Sequence, residues 1–295
     1  MILILSPAKT LDLSPLTPVQ SSYECTRPSC SNALTRDVAK VMKKHAGKGK
    51  SHMAKLLGVS ANIAANACNY WSDYSLTVED AKFAKPAIFS FMGAAYQGLN
   101  VNDGLCEDED IMKYLQSNLR IIDPLYGSLR PLDEIQPYRL EMATKKIWEG
   151  EVLEKPKGLA KFWEEAVTSS ISDDLVKAID NYDGDKPSQS VLVNLASEEY
   201  SAAVNEKLLS ENCVYVKCIF RDGGRVIAVH AKKARGLMVR YLALNDVQDV
   251  EGIKKFNLDG YNFHENESSV NEFVFGREKQ EKKVNSKAKR RKKSN

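Results

Sequence analysis

Residues 123–142, DPLYGSLRPLDEIQPYRLEM, bring together Tyr126, Arg130, Asp133, Tyr138, Arg139 and Glu141. Arginine forks match phosphate or carboxylate, phenols stack and hydrogen-bond, and a carboxylate can take up or release a proton. Three prolines and a glycine in the segment exclude one long helix. Irregular segments of this kind often line sites. A structural reading uses the same groups differently, with the arginines paired to Asp133, Glu134 and Glu141 and the tyrosines capping a core.

Two further segments carry polar groups to places where ligands collect. Residues 231–245, AKKARGLMVRYLALN, have the spacing of a helix that turns Ala234, Leu237 or Met238, Tyr241 and Leu242 inward. Lys232, Lys233 and Arg235 would then fall in its first turn, where the helix dipole disfavours cations and a bound anion such as phosphate would explain them. Glu141, Glu198 or Glu199 could supply that negative charge instead. In NLASEEY, residues 194–200, Ser197 suits a helix N-cap, but Glu199 stands one residue too early for a capping box. Ser6 and Lys9, Asn194 and Ser197, and the Lys232 cluster share one mouth if their strands run parallel, since ligands gather at the carboxyl ends of such strands.

Residues 53–68, MAKLLGVSANIAANAC, read as helix, tight turn, helix. Leu57-Gly58-Val59-Ser60 resembles the turn of a helix-hairpin-helix, whose backbone N–H groups hold DNA phosphates without reading bases. Lys48, Lys50 and Lys55 add nearby charge, while Ser60 stands where such turns usually carry a second glycine. An ordinary αα-corner closed by Gly58 is the other reading.

An enzyme acting on a nucleotide or another phosphorylated small molecule is the alternative to DNA binding, with Glu141, Tyr126, Tyr138 and Ser197 as the catalytic candidates. No nucleophile and base pair follows from spacing. Neither a Walker nor a Rossmann glycine motif is present, and no cofactor is expected. Histidines at 45, 52, 230 and 264 make no repeated metal spacing, and the six scattered cysteines fit neither zinc nor CxxC redox patterns, so no metal site is expected.

The elements that must position these groups alternate. Strands are predicted over residues 1–5, 87–91, 119–122 and 191–195, and helices over 34–45, 107–116, 159–181 and 196–203. Residues 213–220 and 225–230 read as two strands of a hairpin turning at Asp222-Gly223-Gly224. The pattern predicts one compact α/β domain with a mixed sheet over residues 1–276. Charge separates off the rest: residues 277–295 hold ten Lys or Arg against two Glu, so a total of +3 hides a body of −5. That tail is expected to be disordered, and any nucleic-acid site in the body must be a local patch. No apolar run reaches about 18 residues, and MILIL is too short for a signal peptide, so the expectations are no membrane partner and a cytoplasmic protein. The basic run Lys287 to Lys293 leaves nuclear entry or a nonspecific nucleic-acid arm open.

SPAKTLD, FMGAAYQGL, LYGSLRPLDEIQPYRLEM, NLASEEY and AKKARGLMVRY occur in this order, and with them residues 1–276 closely resemble the YaaA family of peroxide stress proteins. Asp123-Pro124 departs from an expected Ser-Gly and His230 from an expected Tyr, and the basic tail lies outside the resemblance. The resemblance implies a YaaA-like α/β fold and a cytosolic protein that answers hydroperoxide and limits damage linked to free iron. It also implies DNA binding that depends on DNA structure, through a helix-hairpin-helix within residues 50–69, including Lys50, Lys55, Gly58 and Ser60, and a positive cleft. By position the cleft would include Lys9, Arg130, Arg139, Lys232, Lys233 and Arg235.

Overall fold

The computed structural model describes residues 1–150, 156–180 and 189–278. Seven strands form one mixed sheet: β1 (Ile2–Leu5), β2 (Leu119–Asp123), β3 (Gly127–Leu129), β4 (Ser190–Leu195), β5 (Cys213–Asp222), β6 (Asn262–Phe263) and β7 (Glu272–Arg277). Their order is β6-β7-β5-β4-β1-β2-β3. The neighbours from β7 to β2 pair in parallel, and antiparallel β6 and β3 close the two edges. Every residue of β1, β2 and β4 is buried, as expected for central strands covered on both faces. The order of winding reverses at β1: the path runs first to β2 on one side and later to β4 on the other. The carboxyl ends of β1 and β4 therefore flank a topological switch point.

Helices cover this sheet: α1 (Ala33–Gly47), α2 (Lys50–Leu57), α3 (Ala61–Asp73), α4 (Ala94–Leu99), α5 (Glu109–Asn118), α6 (Gly158–Asp180), α7 (Glu198–Ser201) and α8 (Ala228–Leu244). Buried Leu159, Trp163, Val167, Ile171 and Leu175 recur every fourth residue of α6, the stripe that seats it on the sheet. Trp163 fixes the segment after β2 by donating from Nε1 to the Pro124 carbonyl at 2.9 Å. Helices α1 to α3 pack together around Val38, Met42, Met53, Ala64, Ala67 and Trp71. No helix among the described residues is long and apolar enough to cross a membrane.

Two predicted strands are something else. Residues 87–91 are fully buried, but Ala87–Ser90 is a short helix after Pro86, with Ser90 Oγ donating to the Pro86 carbonyl at 3.0 Å. An apolar run that is buried on all sides has no period to tell strand from helix. The Asp222-Gly223-Gly224 turn forms, with backbone bonds between Asp222 and Arg225 at 2.7 and 3.1 Å, but no return strand follows. Both edges of β5 are taken by parallel β4 and β7, which leaves a hairpin partner nowhere to pair.

The chain instead enters α8 at Ala228, three residues earlier than its apolar spacing suggests. Lys232, Lys233 and Arg235 consequently lie beyond the first turn, and the dipole argument for an anion at that helix start does not apply to them. Arg277, read as the first tail residue, ends β7 and is pinned to Asp222 and Asp259. The rest of the basic tail, from residue 279, lies outside the described residues.

Candidate functional site

Where β1 and β4 end, their loops touch. Asn194, on β4, accepts from the Ala196 N–H at 2.9 Å and donates to Glu206 and the Tyr215 hydroxyl at 3.0 and 2.8 Å, which steers the chain off the sheet. The Ser197 N–H then donates to Ser6 Oγ at 2.9 Å, and the two serine hydroxyls stand 3.4 Å apart. Tyr96, on α4, donates to the Ser6 carbonyl at 3.2 Å. Parallel pairing of β1 and β4 thus does bring Ser6, Lys9, Asn194 and Ser197 to one mouth.

The segment 138–144 forms the opposite wall. Arg139 donates from Nη1 to the Lys9 carbonyl at 2.8 Å and from Nη2 to Glu141 at 3.1 Å. Lys9 Nζ binds the other oxygen of Glu141 at 2.5 Å. Glu199 accepts from the Ala143 N–H at 3.1 Å, tying this wall to α7. Arg139 Nε is buried with no partner among the described residues, and so is Arg235 Nε on α8. Burial lowers the Arg235 pKa, against the opposing influence of Cys218 and of Glu198, the neighbour of Ser197. Tyr200 is 6% exposed, and its hydroxyl has no hydrogen-bond partner among the described residues. Burial raises its pKa first, with the charges of Glu199, Asp123 and Glu141 adding to that and Arg139 opposing, which places the phenol among the groups of this wall.

Asp123 lies beneath the crevice and is fully buried. Its Oδ1 accepts from the Leu125 and Tyr126 N–H groups at 2.8 and 2.9 Å, and Oδ2 accepts from the Tyr138 hydroxyl. Desolvation pushes its pKa up to about 6, although those hydrogen bonds pull the other way. All its acceptor contacts are internal, so Asp123 shapes the turn before Tyr126. Ser6 has no base beside it: its neighbours are the Ser197 N–H and hydroxyl. The arrangement is suited to holding an oxyanion with cations and hydroxyls.

Of the four catalytic candidates, Glu141 and Ser197 line the crevice. Tyr138 is core, spent on Asp123, and the buried Tyr126 hydroxyl takes bonds from the Gln136 N–H at 2.9 Å and from Tyr74 at 3.1 Å. The cationic set divides too. Lys9 and Arg139 share Glu141, Lys233 pairs with Asp259 at 3.5 Å, and exposed Lys232 has no ion pair among the described residues. Arg130 is at the far end of the sheet, since antiparallel β3 carries the chain back, and there it binds Asp174 at 2.7 Å. A groove of about 1540 Å³ opens at that amino-terminal end, lined among others by Arg120, Arg130, Asp174, Tyr114 and Asn118. It is spacious, but both its arginines are already engaged by Asp174, one on each carboxylate oxygen, so the crevice has the more available chemistry.

The second candidate surface is the α2–α3 corner. Gly58 closes α2 in the left-handed region (φ 63, ψ 38), a conformation costly for residues with a Cβ. Ser60 caps α3, its Oγ accepting from the Ile63 N–H at 3.5 Å. Lys48, Lys50 and Lys55 are exposed around this turn and make no ion pair among the described residues. Close by, buried His45 meets His52 at 2.9 Å and the Ile147 carbonyl at 2.8 Å, which holds the start of α2 against α1. Among the described residues no three His, Cys, Asp or Glu side chains gather to hold a metal ion.

Sequence reasoning missed Tyr96 and the buried role of Asp123. The only signal for Tyr96 was its place inside FMGAAYQGL.

A sheet wound both ways from β1, with a polar crevice at the switch point, defines a doubly wound α/β protein, in which ligands generally gather at the carboxyl ends of the strands. The family model described as Peroxide stress protein YaaA matches residues 1–267, and the chain belongs to that family. It is 38% identical over 288 residues to a UPF0246 protein of Aliivibrio fischeri strain MJ11, covering 96% of this chain and 100% of the relative. A UPF0246 protein of Alteromonas mediterranea is 37% identical over 281 residues, with 93% and 97% covered. One of Hahella chejuensis is 36% identical over 288 residues, with 94% and 100% covered.

Proposed function

We infer that this peroxide stress protein acts on DNA, contacting backbone phosphates through the α2–α3 corner and limiting iron-linked oxidative damage there. The observation that carries the reading is the set of lysines, Lys48, Lys50 and Lys55, exposed around Gly58 and the capped start of α3 and without an ion pair among the described residues. The first N–H groups of a 13-residue helix have no carbonyl before them to bond, and the dipole adds positive potential at that end. Phosphate suits such an end, and lysines beside it strengthen the attraction without reading sequence. A body of net −5 needs a local patch of this kind.

Lys9, Arg139 and Lys233 contribute less, because Glu141 and Asp259 already engage them and offset part of their charge. Lys232, exposed and without an ion pair among the described residues, adds a contact on α8. The test is charge reversal by Lys50→Glu with Lys55→Glu, read as duplex affinity by fluorescence anisotropy. A fall of more than about tenfold is expected for two lost phosphate contacts. Unchanged affinity would remove the corner from the account.

A further inference from the structure

We propose that the crevice between the carboxyl ends of β1 and β4 is a second site, distinct from the DNA surface, that takes the phosphoryl group of a small molecule. Three unfilled donors lie around it. Arg139 Nε and Arg235 Nε are buried with no acceptor, and the Tyr200 hydroxyl, on a residue 6% exposed, has none among the described residues. Buried donors are rarely left unmet, and each such case calls for a missing water or ligand. Here the two buried guanidinium nitrogens need an acceptor, and guanidinium forks match a phosphoryl group; the Tyr200 hydroxyl, which solvent reaches, adds a donor beside them. Ser6 and Ser197 add hydroxyls at the floor, held together by the 2.9 Å bond between the Ser197 N–H and Ser6 Oγ.

Glu141 takes the contacts that a phosphoryl oxyanion would make. Its two carboxylate oxygens take Lys9 at 2.5 Å and Arg139 at 3.1 Å. A ligand must therefore displace that carboxylate, which sets two opposite expectations. Removing the Glu141 charge frees both cations and tightens binding. Removing the Tyr200 hydroxyl deletes a ligand contact and weakens it. Tyr200→Phe breaks no hydrogen bond within the described residues, so its thermal stability stays that of the parent. Location at the switch point is where α/β sheets place such ligands.

The experiment is isothermal titration of the full chain and its Tyr200→Phe, Glu141→Gln and Lys50→Glu/Lys55→Glu variants with inorganic phosphate and with adenosine monophosphate. Saturable binding of at least one probe is expected. Its affinity should fall about tenfold or more in Tyr200→Phe, as for a hydrogen bond to a charged group. It should rise several-fold in Glu141→Gln and stay unchanged in the lysine variant. Three outcomes would overturn the site: no saturable binding at millimolar probe, equal affinity in Tyr200→Phe, or weaker binding in Glu141→Gln. Displacement of the probe by a short DNA duplex would also overturn it as a small-molecule site, because the phosphate would then belong to DNA. Loss of DNA binding in the lysine variant with the probe still bound keeps the two surfaces separate.

Discussion

Gly98 and Gly236 let α4 and α8 cross backbone against backbone. A Cβ on Gly236 would lie 1.7 Å from the Ala95 carbonyl oxygen, and one on Gly98 would lie 2.1 Å from that of Lys233. Two motifs far apart in sequence, FMGAAYQGL and AKKARGLMVRY, are therefore one structural unit. It sets Tyr96 over the Ser6 carbonyl and packs α8 against β5.

Gly236→Ala should push these helices apart. The obstacle is backbone, which no rotamer change relieves, so the cost should reach the upper end of overpacking, about 3 kcal/mol or more. For a chain of this length that lowers Tm by roughly 6 °C or more, measurable by calorimetry. A Tm equal to the parent's would mean that the helices do not meet as described.

Asp123 gives stability an unusual pH dependence. Its pKa in the fold is about 6 against an ordinary 3.8, so folding favours the protonated form. The contribution is fully present below the ordinary value and is lost as pH rises through about 6, some 3 kcal/mol over that interval. Asp123→Asn keeps an oxygen for the Leu125 and Tyr126 N–H groups and turns its amide toward the Tyr138 hydroxyl. Urea unfolding of this variant should show a flatter dependence through the Asp123 titration. The same slope in both proteins would assign it to other groups.

Asp174 works in the opposite direction. Burial alone would raise its pKa, but Arg120 at 2.6 Å and Arg130 at 2.7 Å outweigh it and hold the carboxyl below 3.8. Its contribution is present above that ordinary value and is lost as pH falls through the lower folded one. Asp174→Asn leaves Arg120, whose side chain is 3% exposed, without its counter-charge, at a cost of about 3–5 kcal/mol. Replacing both partners by apolar residues should recover much of that loss. A double-mutant cycle checks this, and full additivity would deny the coupling.

What the sequence made legible was what local pattern determines. The α6 stripe repeats every fourth residue, the buried strand β1 is a continuous apolar run, β2 and β4 are built around Ile121-Ile122 and Val191-Leu192-Val193, and Gly58 marks its corner by type alone. The misses came from competition at a distance. The Asp222 turn carried a sound hairpin signal, but β7, more than forty residues later, took the edge a return strand needed. That outcome moved the start of α8 and so the meaning of Lys232, Lys233 and Arg235. Arg130 was separated from Lys9 by the direction of β3, and packing alone leaves the Tyr200 hydroxyl without a hydrogen-bond partner among the described residues. No local spacing encodes either fact.

The most direct test of DNA binding at the α2–α3 corner is duplex affinity across a salt series. It compares the parent and the Lys50→Glu/Lys55→Glu variant, each with and without residues 279–295. The account predicts salt-sensitive binding in the protein lacking 279–295, and a log–log slope shallower by about 1.8 when two phosphate contacts are lost. Equal slopes and affinities for parent and variant in that background would contradict it and assign DNA affinity elsewhere in the chain.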